Sequence, residues 1–187
     1  MASNRIRMRH LRCFLAVARH GTVTAAAEAL GQSIAAEHWR LVYGAGDVAL
    51  MGIVARAAQA GGGETFGVIP AHLVAWEVGK TDLTRYVVTE TMHERKARMI
   101  DESDALIALP GGMGTYDELF EAMTWLNLGL HDKPIYLLGP ADYWQPFLQL
   151  LQHIDTEGFA WGSPADLVSY LPNLEALAAE TASLRPK

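Results

Sequence analysis

The chain has 187 residues, half of them hydrophobic and 19% charged, with a net charge of -6 at pH 7. That length supports one domain with a substantial core, and the composition excludes a disordered or fibrous protein. The negative balance excludes a global basic field for nucleic acid, and the single cysteine, Cys13, excludes an internal disulfide framework and a cysteine-cluster metal site.

No apolar run approaches the roughly 18–20 residues that span a bilayer. Arg5, Arg7, Arg9 and Arg12 surround the start of a short apolar stretch, Leu11–Ala18. It lacks the length and the small-residue cleavage site of a signal peptide, so a buried first strand over Leu11–Val17 is expected, in a cytoplasmic protein. The Ala-rich segment Thr22–Glu37 then predicts a helix, with Thr22 or Thr24 as N-cap. Arg40–Tyr43 reads as a strand ending at Gly44-Ala45-Gly46, and Val48–Ala60 as a helix stopped by Gly61-Gly62-Gly63. Thr65–Ile69 is a strand closed by Pro70, and Ala71–Asp82 a loop with one helical turn. Strand Arg85–Val88, helix Thr91–Ser103 and the apolar strand Ala105–Leu109 follow. The remainder reads as helix Thr115–Leu128, strand Pro134–Leu138, helix Tyr143–Asp155, strand Leu167–Tyr170 and helix Asn173–Ser183. Short apolar strands alternating with amphipathic helices predict a single α/β domain over residues 1–187: an open parallel sheet with helices on both faces. Ligands of such sheets sit beyond the carboxyl ends of the strands.

Leu109-Pro110-Gly111-Gly112-Met113-Gly114-Thr115-Tyr116-Asp117-Glu118 joins a buried strand to a helix. Its three glycines allow close approach of a ligand and positive φ. The helix start offers unpaired N–H groups and a partial positive charge, which together suit a phosphate. No Lys-Ser/Thr follows the last glycine, so this is not a Walker loop, and the spacing is not the dinucleotide fingerprint. Thr115-x-x-Glu118 also has capping-box spacing, which would make Glu118 a structural residue. Met92, Arg95 and Met99 share one helix face, so Arg95 interrupts an apolar stripe and needs an anionic partner. Arg98 reads as a solvated cation. Gly44 and Gly46 form a second strand-to-helix turn, suited to line a nucleotide crevice, with Asp47 as N-cap candidate. Glu77 lies in the loop after Pro70, where an acid is usually solvated. His72, His93, His131 and His153 show no metal-ligand spacing.

These residues together resemble the Lonely Guy family, the cytokinin riboside 5'-monophosphate phosphoribohydrolases, long labelled possible lysine decarboxylases. Pro110–Glu118 matches the pattern Pro-Gly-Gly-x-Gly-Thr-x-x-Glu, and Met92, Arg95, Lys96 and Ala97 match Met-x-x-Arg-Lys-Ala. The resemblance runs from about Leu30 to Phe159. It implies a Rossmann-like sheet, a homodimer, and hydrolysis of purine nucleoside 5'-monophosphates to free base and ribose 5-phosphate without metal or organic cofactor. It assigns catalysis to Arg95 and Glu118. Substrate contacts fall to Glu77, Lys96, Gly111, Gly112, Met113, Gly114, Thr115 and Thr124. A decarboxylase would need a pyridoxal-binding lysine with its partners, and no such arrangement is visible. The alternative is a nucleotide sensor of the same fold that does not cut its ligand.

Residues 1–30 depart from the family pattern. Where the family has a Gly-Ser pair after its first strand, this chain reads Ala16-Val17-Ala18-Arg19-His20-Gly21. Met8 to Ala26 instead resembles the start of a LysR-type helix-turn-helix, which would make residues 11–17 helical and the protein a transcription-factor fragment. The recognition helix such a module needs is replaced by the Tyr43 strand and its glycine turn.

Overall fold

A computed structural model describes residues 10–14, 21–47, 49–74, 80–160 and 162–182. Its strands are β1 (His10–Phe14), β2 (Arg40–Tyr43), β3 (Glu64–Pro70), β4 (Arg85–Thr89), β5 (Ala105–Ala108), β6 (Ile135–Leu138) and β7 (Ser169–Leu171). The helices are α1 (Gly21–Ala36), α2 (Ala49–Ala60), α3 (Ala71–Val74), α4 (Met92–Asp101), α5 (Met113–Asn127), α6 (Ala141–Thr156) and α7 (Leu174–Ala182). Among the described residues all seven strands are parallel and lie in one sheet, in the order β4-β3-β2-β1-β5-β6-β7. The order reverses at β1, whose Leu11 lies opposite Leu41 of β2 and Ala105 of β5. This reversal is where an open α/β sheet forms its crevice.

The apolar runs of β5 and β6 are explained by burial on both faces. Ile107, Tyr136 and Leu138 point to the layer that holds Ala27, Leu30 and Ile34 of α1, Leu50 and Val54 of α2, and Leu177 of α7. Leu106, Ala108, Ile135 and Leu137 point the opposite way, onto Leu119 and Met123 of α5 and Trp144, Phe147 and Leu151 of α6. Successive strand residues thus feed two separate cores. Met99 of α4 extends the second layer across Val42, Phe66 and Val68.

Several boundaries differ from the sequence expectation. β1 covers His10–Phe14, and residues 15–17 of the expected strand lie outside the described residues. Helix α1 starts at Gly21, so Thr22 and Thr24 are inside it and neither is its N-cap. Leu167 closes a 3-10 turn, Pro164–Leu167, instead of opening the last strand. Pro164 explains this, because its fixed φ starts a helical turn readily. The side-chain cap is also elsewhere. The Thr91 hydroxyl accepts from Glu94 N–H at 3.1 Å, while Glu94 accepts from Glu90 N–H at 2.9 Å. This side-chain exchange fixes the start of α4. Helix α5 is instead capped by the backbone of Gly112, with no side-chain cap.

Trp144 is fully buried and its indole N–H donates to Leu138 at 3.2 Å. Its ring meets Tyr143, Tyr116 and Phe147. Trp144→Ala is expected to lower unfolding free energy by about 3–5 kcal/mol in urea denaturation, because it leaves a cavity between α6 and the sheet.

Candidate active site

The glycine-rich loop leaves β5 beside the sheet's reversal point and enters α5 two residues earlier than the sequence suggested, at Met113. Thr115 is therefore the third helical residue, and Glu118 lies in the second turn, beyond the reach of a cap. The capping-box reading of Glu118 fails on this geometry. The N–H groups of Thr115 and Tyr116 bond to the Gly112 carbonyl at 3.0 and 3.4 Å. Those of Met113 and Gly114 have no acceptor within the helix, as at any helix start. None of the three loop glycines has positive φ, contrary to one expected reason for them. Their use is close approach: a Cβ on Gly112 or Gly114 would point into open space, with no atom within 4 Å.

Two side chains shape this cradle. Thr115 is 3% exposed, and its hydroxyl has no partner among the described residues. A buried, unbonded hydroxyl beside bare N–H groups suits a ligand oxygen. Tyr143, from the first turn of α6, was not foreseen. Its hydroxyl accepts from Gly111 N–H at 2.8 Å and donates to Gly111 C=O at 2.5 Å. That clamp fixes the loop and removes the Gly111 N–H from the groups open to a ligand. No spacing rule could have found it, since the contact joins residues 32 apart.

Arg95 is 6% exposed. Its Nε donates to Val68 C=O at 3.2 Å and its Nη2 to Gly44 C=O at 3.1 Å, at the carboxyl ends of β3 and β2. Among the described residues its charge is met by main-chain dipoles and the Met92 sulfur at 3.8 Å, with no carboxylate on it. A buried guanidinium held this way keeps its positive field for another anion. Lys96, the next residue, turns toward α5. Its ammonium lies 3.1 Å from Asp117 and 2.7 Å from Glu121. Burial works against its charge, but the hydrogen bonds to Glu121 and Asp117 outweigh this and hold its pKa above the usual lysine value. Lys96 thus ties α4 to the turn of α5 that carries half-buried Glu118.

The other expected site residues are distributed. Gly44 and Gly46 occupy the turn after β2, beside Arg95. The Asp47 carboxylate is taken by Arg56 at 2.5 Å. Arg98 pairs with Glu102 at 2.9 Å on the surface, as a solvated cation would. Glu77 lies outside the described residues. Thr124 does not join the cluster. It sits about 14 Å along α5 from Thr115 at the usual helical rise, and its hydroxyl donates to Phe120 C=O at 2.7 Å. His131 is a structural corner: one ring nitrogen meets Ala122 C=O at 2.8 Å and the other accepts from Lys133 N–H at 3.1 Å. Among the described residues no three His, Cys, Asp or Glu gather where a metal could bind, and no helix is long and apolar enough to cross a membrane. A cavity of about 330 Å³ adjoins the loop at the ends of β5, β6 and β7, walled by Leu109, Pro110, Leu138, Pro140, Pro172 and Leu174.

Fold and site define a class: open parallel α/β proteins with a glycine-rich loop at a helix start, next to the sheet's reversal point. Within that class the chain belongs to the family described as possible lysine decarboxylase, whose model matches residues 51–181. A cytokinin riboside 5'-monophosphate phosphoribohydrolase of Rhodococcoides fascians is 48% identical over 134 residues, covering 71% of this chain and 68% of that protein. One of Mycobacterium tuberculosis is 51% identical over 65% of each chain, and one of Mycobacterium marinum 42% identical over 83% of each. The fold is shared with the molybdenum cofactor carrier protein of Chlamydomonas reinhardtii, at TM-score 0.72 and 21% identity over 95% of this chain and 98% of that one. A model of the LysR-family bacterial regulatory helix-turn-helix also matches residues 8–37. That motif needs two helices, whereas the described part of this interval holds strand β1 and helix α1.

Tyr143→Phe tests the loop clamp. It is expected to lower stability by about 1 kcal/mol and to weaken inorganic phosphate binding several-fold by titration calorimetry. Unchanged phosphate affinity would mean that the loop keeps its shape without the hydroxyl.

Proposed function

We infer that this chain hydrolyses the N-glycosidic bond of purine nucleoside 5'-monophosphates, releasing free base and ribose 5-phosphate. The carrying observation is the start of α5, where the first N–H groups have no acceptor within the helix, the buried Thr115 hydroxyl has no partner among the described residues, and Gly112 and Gly114 leave open space for a ligand. Relatives named phosphoribohydrolases at 48% and 51% identity support the same reading and favour an enzyme over a sensor that binds without cutting.

The chemistry follows from charge. As the base leaves, positive charge builds on the ribose, and a carboxylate beside it stabilises that charge and orients the attacking water. We assign this to Glu118. Arg95 holds the phosphate or the sugar in place, and this orientation is its contribution. The loop from Gly112 to Thr115 binds the 5'-phosphate, so the free nucleoside is a poor substrate. Lys96 sets the position of α4 against α5, and a direct substrate contact from it would compete with its two carboxylates. Glu77 completes the substrate contacts. The mechanism requires neither metal nor organic cofactor.

Incubation with AMP and with adenosine, scored for free adenine by chromatography, tests the reading. Adenine is expected from AMP and far less from adenosine; AMP left intact under saturating binding would overturn it. Glu118→Gln keeps the size of the side chain and is expected to lower kcat by about 100-fold or more with an unchanged melting temperature. Full turnover by that variant would remove Glu118 from the catalytic role.

A homodimer belongs to the same proposal, in a cytoplasmic setting that suits a nucleotide substrate and a single cysteine. Its support is the outer face of α5 and the segments beside it, where Met113 is 86%, Leu128 58%, Leu130 67% and Phe159 84% exposed. Clusters of large apolar side chains at a surface mark association sites. Thr124 lies on this face and would reach a site only through a second copy. Sedimentation at micromolar concentration is expected to give twice the 20.4 kDa chain mass; a single-chain mass would remove the dimer.

A further inference from the structure

We propose that Gly44 is a positioning residue whose missing side chain provides the seat for the Arg95 guanidinium. The proposal rests on the catalytic assignment of Arg95 above. A Cβ on Gly44 would stand 1.8 Å from Arg95 Nη2, 2.9 Å from Cζ and 3.4 Å from Nε. Non-bonded heavy atoms do not approach to 1.8 Å, so the guanidinium occupies the volume that any other residue at position 44 would fill. Gly44 does not have positive φ, so backbone conformation is not the reason for glycine here. Room for the cation is.

Neither partner can yield cheaply. Arg95 is buried and is held through Nε on Val68 C=O and Nη2 on Gly44 C=O, so leaving the seat breaks both bonds. The turn is fixed as well. Ala45, at φ 61°, is fully buried, and its carbonyl accepts from Lys80 N–H at 3.1 Å. Below it lies Gly67 of β3, where a Cβ would stand only 2.7 Å from the Ala45 Cβ. The turn after β2 is therefore packed from both sides. A methyl group at position 44 displaces the guanidinium, and the cation loses its place relative to the α5 loop. Gly44 contributes by setting where Arg95 points and touches no reacting atom.

A double-mutant cycle tests this, with kcat and KM for AMP cleavage measured for wild type, Gly44→Ala, Arg95→Lys and the double variant. Gly44→Ala is expected to lower kcat by about tenfold or more. In the Arg95→Lys background the same change is expected to alter kcat by less than about twofold, since lysine has no Nη2 branch to meet the new methyl group. Two losses that multiply in full would overturn the proposal. A crystal structure of Gly44→Ala supplies a readout without substrate: the guanidinium is expected away from the Val68 and Gly44 carbonyls, and its retention there would overturn the seat. Melting temperatures of the same four proteins read the coupling independently of activity. If wild type releases no base while melting and crystallography show the coupling, the catalytic reading fails and the seat stands. If Gly44→Ala does not fold, recovery of folding in the double variant supports the proposal, and failure of both overturns it.

Discussion

The opening turn of α5 depends on one clamp, the Tyr143 hydroxyl bonded to both the N–H and the C=O of Gly111. A loop of Gly, Gly, Met and Gly has little conformational preference of its own and loses much freedom on being ordered. Tyr143 is in turn held by its edge contact with fully buried Trp144. The α5 loop is thus pre-formed by the α6 core, and no further ordering of the loop is left for a ligand to supply.

Adjacent residues of α4 serve opposite purposes because about 100° separates consecutive side chains on a helix. Arg95 points to the strand ends and is met by carbonyl dipoles, whereas Lys96 points to α5 and is neutralised by Asp117 and Glu121. One cation keeps its field and the other gives it up to hold two helices together. An exchange of the two residue types would fail at both places. Lysine cannot reach two carbonyls with a planar fork, and arginine cannot present the compact point charge that Lys96 places between two acids.

The segment matched by the helix-turn-helix model shows tertiary context overriding local preference. His10–Phe14 has a parallel partner on each side, β2 and β5, and sits at the centre of the sheet. A central strand satisfies both rows of backbone groups through its neighbours, so His10–Phe14 takes the extended form whatever its isolated tendency.

The amino-acid sequence alone determined the architecture and the family. Continuous apolar runs such as Ala105–Ala108 specify buried parallel strands, and the glycine-rich loop and the Met92–Ala97 motif specify the family, because these signals are local. Only the tertiary structure decided where α5 begins, what holds its loop, which anions Lys96 meets, that Thr124 stands apart, and why position 44 is glycine. Those facts rest on contacts between residues distant in the chain, such as 44 with 95 and 111 with 143. Spacing along a sequence carries no record of which surfaces will meet once the sheet is assembled.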